Sequence, residues 1–361
     1  MVEFWRMGPT PVPVRKIGAF AHELESIGWD GLAVGENNKQ PDPYAVLATA
    51  AAATTTLRLG TATAVPIRHP LQAAVAMATV QGLAEGRARF TLGRGDSAAK
   101  ALQEEPMPVS AFERYLDRLR RYLHREEVDI NGTASTISAL SVIDPSIDVS
   151  PPPIDAAATG PKMIEAALRS CDSVDVAVGA DVTRLAATLE KVRAASQVAG
   201  RDFADVRPGC FVQLAVSEGD DLAQVRNAIR PLAMTFARFS AYNGKPLADV
   251  DEADRQHLRH AGEVLDAKFT STVSPTAKLG APPGELDFFR ADGAGDDAFI
   301  DRFAIVGPAE ACAERLQQLI DLGFERIYIG TRFMGTDVAE TNTRKIARDV
   351  FPMLRPSSIT V

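Results

Sequence analysis

The chain has 361 residues, of which 46% are apolar and 24% charged, the mixture of a globular α/β protein with a sizeable core. Its formal net charge of −8 repels phosphate backbones and anionic lipid, which argues against nucleic-acid and membrane partners and leaves small molecules as ligands. Three widely separated cysteines (Cys171, Cys210, Cys312) form no C-x-x-C pair, the first eight residues are too polar for a signal sequence, and the alanine-rich run 45–53 is too short to span a bilayer. The expectation is a cytoplasmic protein with reduced, buried thiols.

In chain order, residues 2–7 read as a strand. Residues 14–27 follow a helical period, with Ile17, Phe20, Ala21 and Leu24 on one face and Gly28 as the stop. A second strand spans 31–35, a helix 43–53 and a third strand 57–65. Residues 71–83 read as a helix whose turn ends at Gly86, and 87–92 as a fourth strand. An arginine-dense helix covers 111–123. The rhythm then weakens over 128–149, where Asn131-Gly132 signals a hairpin, and Pro151, Pro152 and Pro153 stiffen the approach to the next strand. Alternation resumes with strands at 154–158, 174–178 and 208–216, followed by helices at 162–170, 183–199 and 222–239. Residues 241–301 are polar and punctuated by Gly and Pro, with a helix near 251–267. A helix at 308–322 ends at Gly323, the eighth strand covers 326–330, and a last helix runs over 338–353. Eight strands, each followed by a helix, predict a single (β/α)8 TIM barrel over 1–361 rather than an open doubly wound sheet. Residues 241–300 are then an inserted lid or rim segment before the last strand.

In such a barrel the chemistry lies on the loops after the strands. Glu36, after the second strand, can act as an acid or base or hydrogen-bond a ring; the alternative is a carboxylate that anchors its own turn, through Asn37 or a rim arginine such as Arg68 or Arg94. His69, after the third strand, can donate a proton near neutral pH, or cap the helix that Pro70 opens. Gly93 and Gly95, with Asp96, let backbone approach a flat ligand closely, although the third glycine of a dinucleotide fingerprint is missing. After the fifth strand, 157–163 (Ala-Ala-Thr-Gly-Pro-Lys-Met) starts a helix whose free N–H groups suit a phosphate. Gly179-Ala180-Asp181 starts the next one; its alternative is a tight turn with Asp181 as N-cap. No His/Cys/Asp cluster has metal-ligand spacing, and there is no G-x-S-x-G elbow.

Taken in order, residues 28–35 (Gly-Trp-Asp-Gly-Leu-Ala-Val-Gly), 57–61 followed by Arg68-His69-Pro70, Gly86-Arg87, 93–96, 157–163 and 305–308 resemble the luciferase-like monooxygenase superfamily across nearly the whole chain. The similarity is greatest to its coenzyme F420-dependent branch, which includes methylenetetrahydromethanopterin reductase and secondary alcohol dehydrogenase. That resemblance implies an oxidoreductase using F420, an 8-hydroxy-5-deazaflavin with a phosphate and an oligoglutamate tail, to move a hydride to or from a small carbonyl, imine or activated alkene. Ala158, Thr159, Gly160, Pro161 and Lys162, with Gly179 and Ala180, would hold the phosphate. Thr63 and Ala64 would form a bulge behind the ring, often with a non-proline cis peptide, beside Gly93, Gly95 and Asp96. The family's Asp-His after strand two is Glu36-Asn37 here, so no histidine is carried to that position, and strand one ends Trp5-Arg6-Met7 without the reductase's glutamate. The alternatives are a flavin mononucleotide (FMN) monooxygenase and a non-catalytic coenzyme-binding barrel. A homodimer, paired through the outer faces of the early helices, is the expected assembly.

Overall fold

In the computed structural model, the described residues are all except 1, 9–11, 38–39, 96–97, 100–101, 103, 138–143, 218, 240–296, 332–335 and 356–361. The strands are β1 (Glu3–Met7), β2 (Gly31–Val34), β3 (Arg58–Ala64), β4 (Ala88–Leu92), β5 (Val128–Ile130), β6 (Thr133–Ser135), β7 (Ile154–Ala158), β8 (Ser173–Val176), β9 (Gly209–Val216), β10 (Ile305–Gly307) and β11 (Arg326–Gly330). The helices used below are α1 (Ile17–Ser26), α2 (Pro43–Ala51), α3 (Pro70–Leu83), α4 (Val109–Leu123), α5 (Pro161–Ser170), α6 (Val182–Val198), α7 (Phe203–Val206), α8 (Leu222–Phe239), α9 (Asp297–Phe303), α10 (Ala309–Leu322) and α11 (Thr336–Lys345).

Eight strands pair in parallel in the order β1-β2-β3-β4-β7-β8-β9-β11, and β11 returns to β1, so the sheet closes. The (β/α)8 barrel is therefore observed, with its eight strands where the sequence places them to within a residue or two. β5 and β6 form the hairpin at Asn131-Gly132. The short β10 was not expected. It extends the sheet beyond the barrel by pairing Ile305–Gly307 with Leu214–Val216, the mouth end of β9. The helical turn α7 was also not expected, and the last helix changes winding after Lys345. The expected helix near 251–267 and nearly all of the expected lid lie outside the described residues; its last residues, 297–300, begin α9.

Period-two alternation divides the core into two. One set of strand residues, including Leu32, Val34, Leu59, Phe90, Val174 and Ile327, packs outward against the helices. The other set fills the barrel in layers. At the N-terminal end, Arg326 Nη2 lies 3.0 Å from Asp175 and 3.5 Å from Asp155, and Arg89 Nη2 donates to Asp155 at 2.8 Å. Two buried carboxylates thus meet two guanidinium groups; Thr91 donates to Asp175 and Ser173 accepts from Arg326. Trp5, Phe211 and Tyr328 form the middle layer, with Phe211 stacked on Tyr328 at 4.8 Å. The indole of Trp5 needs room from its neighbours: a Cβ on Gly31 would lie 2.4 Å from it, and one on Gly60 3.1 Å from it and 2.0 Å from the Arg89 carbonyl. Towards the C-terminal mouth the inward positions are Met7, Ala33, Ala62, Ala157, Ala177 and Gly330 with Gln213, mostly small residues. The lower layers are filled by large side chains, and the upper one is lined mostly by small ones, with Phe236 of α8 packed against it.

Candidate active site at the barrel mouth

The mouth is walled on one side by β3 and β4. β3 bulges between Ala62 and Ala64, and the Ala62–Thr63 peptide is cis. The bulge and cis bond coincide with the positions implied by the resemblance. Gly93 follows β4, donates its N–H to Ala64 (2.8 Å), and would crowd Thr63 Oγ1 at 3.0 Å if it carried a Cβ. Gly95 has φ +92°, a backbone state that favours glycine. Thr63 is half-buried, as are Ala62, Ala157 and Ala177, whereas Ala33 is buried. Asp96 lies outside the described residues.

Glu36 is buried just behind this wall, and both of its oxygens are engaged. Oε1 accepts from Arg68 Nε at 2.6 Å, and Oε2 accepts from the Val65 N–H at 3.0 Å; its own N–H reaches the Thr63 carbonyl at 2.9 Å. Arg68 also pairs with Asp42, the N-cap of α2, and lies over the Tyr44 ring at 4.9 Å. Burial works against the Arg68 charge, but its bonds to Glu36 and Asp42 outweigh that and raise its pKa. Burial first, and the Glu36 charge second, push the Tyr44 and Tyr115 phenols upward. Of the readings open for Glu36, this geometry matches the anchor through Arg68. His69 is exposed, and its Nδ1 accepts from the Leu71 N–H at 3.2 Å, so the imidazole caps α3.

On the adjoining side, β7 leads into α5. Ala158 is buried, Thr159 and Gly160 are half-buried, and Pro161 and Lys162 are exposed. Gly160 is the N-cap and offers no side chain to the helix start, and a Cβ there would meet nothing within 4 Å. The next helix start differs. Asp181 caps α6 through the Arg184 N–H at 3.1 Å and takes two bonds from Arg302. Ala180 donates its N–H to the Phe303 carbonyl at 3.1 Å, and Gly179, with φ +78°, is packed against Phe303 and Phe236. The two starts of the expected two-helix cradle therefore differ in what they already bind. Residues 297–303 fold as α9 over the 179–180 turn, so the Ala180 N–H is already used and the α5 start is the open one.

Sequence reasoning missed the Arg89–Asp155–Arg326–Asp175 network, the alanine-lined mouth, and several buried polar atoms with no hydrogen-bond partner, among them Tyr115 Oη, Gln213 Oε1 and Thr331 Oγ1. Charged residues at inward positions of strands were a usable signal for the first. Among the described residues, no group of three or more His, Cys, Asp or Glu side chains could hold a metal ion, and no helix is long and apolar enough to cross a membrane.

The profile of the luciferase-like monooxygenase family matches residues 1–326. The chain belongs to that family. A 5,10-methylenetetrahydromethanopterin reductase of Methanolobus tindarius is 24% identical over 326 residues, covering 88% of this chain and 91% of the relative. The structure of the coenzyme F420-dependent tetrahydromethanopterin reductase of Methanopyrus kandleri superposes with a TM-score of 0.72 at 18% identity, over 98% of this chain and 99% of that one. An F420-dependent secondary alcohol dehydrogenase, solved with an F420–acetone adduct, superposes with a TM-score of 0.68 at 15% identity, over 98% and 99%. At these identities the structural likenesses establish the fold.

Proposed function

We propose that this luciferase-like barrel is a coenzyme F420-dependent oxidoreductase acting on a small organic substrate. The observation that carries the reading is the mouth itself, an upper layer of small, partly exposed Ala62, Ala157 and Ala177 beside a helix start at Gly160 that no side chain caps. A planar ring fits a cavity whose inward side chains are methyl groups. A phosphate fits helix N–H groups to which no side-chain cap is bonded. The named relatives, reductases and a dehydrogenase of this coenzyme, support the same choice.

Thr63, Ala64, Gly93 and Gly95 would line the ring, and Ala158, Thr159, Gly160, Pro161 and Lys162 the phosphate, with Gly179 and Ala180 as packed backing. When bound, the coenzyme supplies or accepts the hydride. Glu36 is assigned a positioning role: it ties the turn after β2 to the end of the bulged strand and to Arg68. The apolar floor of Trp5, Phe211 and Tyr328 excludes water from beneath the ring.

FMN-dependent oxygenation is the second reading, favoured by the match to the monooxygenase family profile. Anaerobic assay of the purified protein with F420 and a panel of small carbonyl, imine and alkene substrates separates the two. Hydride transfer, read as a change in coenzyme absorbance, is expected. In a parallel aerobic assay, turnover that occurs only with reduced FMN and consumes oxygen would establish the second reading instead.

A further inference from the structure

Gln213 is out of character with the mouth it lines. It lies on β9, two residues beyond Phe211 and so on the same inward face, and its Cα is registered with Gly330 of β11. Its amide crosses that glycine: a Cβ on Gly330 would lie 2.4 Å from Oε1 and 2.7 Å from Nε2. Only 2% of Gln213 is exposed, and Oε1 has no hydrogen-bond partner. Thr331, the next residue on the neighbouring strand, is likewise buried with its hydroxyl unpartnered. A buried, unpaired carboxamide is costly and calls for an explanation.

Strand order says what it faces. In the closed barrel β9 is four strands from β3 in either direction, so Gln213 stands across the mouth from the bulge and from Gly93. The wall that would hold the ring is β3 and β4; the opposite wall is left for the substrate. A carboxamide is both acceptor and donor. It therefore suits a group whose heteroatom changes from one to the other. A carbonyl oxygen or imine nitrogen only accepts; once carbon has gained a hydride and the heteroatom a proton, the resulting O–H or N–H can also donate.

Resting on the function proposed above, we propose that Gln213 orients the substrate by hydrogen-bonding the heteroatom of its reacting C=O or C=N group. Substrates reduced at a carbon–heteroatom bond are thereby preferred over those reduced at C=C. Gln213 makes and breaks no covalent bond.

The test uses the full-length protein and the variants Gln213→Met and Gln213→Glu. Melting of the apoprotein comes first: Gln213→Met, which removes the orphaned amide at similar volume, is expected to melt at or above the wild-type temperature. A fall of several degrees would mean that the amide is structural and would overturn the proposal. F420 titration is expected to give an affinity within about threefold of wild type for both variants. Cyclohexanone, 1-pyrroline and cyclohexenone then serve as ketone, cyclic imine and activated alkene. Wild type is expected to reduce the ketone or the imine, and which one it reduces identifies the heteroatom. Gln213→Met should lower kcat/KM for it by about tenfold or more. Gln213→Glu, which keeps an acceptor and loses the donor, should raise the ketone KM while leaving product inhibition by cyclohexanol in place. Unchanged kcat/KM in Gln213→Met, or wild-type activity confined to the C=C bond or absent from all three probes, overturns the inference. If the wild-type protein binds no F420, the underlying reading fails and this proposal falls with it, and the titration shows that this is the cause.

Discussion

At the scale of single residues, the site is set by which polar groups already have partners. Glu36 has two, Arg68 and the Val65 N–H, at 2.6 and 3.0 Å. Replacing it with Gln keeps the shape but removes the charge that Arg68 meets. Glu36→Gln is expected to lose about 2 kcal/mol, the usual scale of a hydrogen bond to a charged group, measured by denaturant unfolding. A loss of turnover of ~100-fold or more at unchanged stability would return Glu36 to the role of general acid. Gly160 behaves in the opposite way, because nothing in the protein occupies the space beside it. Gly160→Asp is expected to leave the melting temperature near wild type and to weaken F420 binding by at least ~10-fold, about 1.4 kcal/mol, because a carboxylate then faces a phosphate. Unchanged affinity would remove the phosphate from the α5 start.

At the scale of elements, the strands were legible because each is a short apolar run between turn signals, and the glycines marked most helix ends. Gly323, for example, ends α10 with φ +105°. The bulge at Thr63 was reachable only through resemblance, whereas the turn at Gly160 was legible as a helix start opened by Gly-Pro. The cover over the second half of the proposed phosphate cradle was not legible for a physical reason. Gly179 and Ala180 are covered by α9, which is distant in sequence, and local patterns carry no information about such contacts. β10 was missed because three residues give too little alternation to read. One inter-element contact yields a pH prediction. Glu25, at the end of α1, accepts from the Thr55, Thr56 and Leu57 N–H groups at the entry to β3. Burial pushes its carboxyl up, but these bonds outweigh that and hold its pKa at about 2. A depressed folded pKa stabilises the protein above the ordinary glutamate value, and the benefit is lost as pH falls towards 2. The melting temperature of wild type is therefore expected to exceed that of Glu25→Gln at pH 7, with the gap closing between about pH 4.5 and pH 2. A gap that does not change with pH would contradict this contact.

At the scale of the whole molecule, α8 and α9 are held together by Arg226–Asp301 and Arg230–Asp297. The outer face of α2 presents Ala45 and Thr49, small residues that allow close approach, and pairing through the early helices remains our proposal for the assembly. Light scattering at micromolar concentration is expected to give twice the chain mass; a monomeric mass would reject it. The larger claim is that the small-residue upper layer of the barrel and the open α5 start together form a deazaflavin site. Equilibrium titration of the apoprotein with F420 and with FMN, followed by coenzyme fluorescence, tests it most directly. The account predicts saturable binding of F420 at one site per chain, at least ~10-fold tighter than FMN and weakened in Gly160→Asp. Saturable binding of FMN with none of F420, or no binding of either, would contradict it.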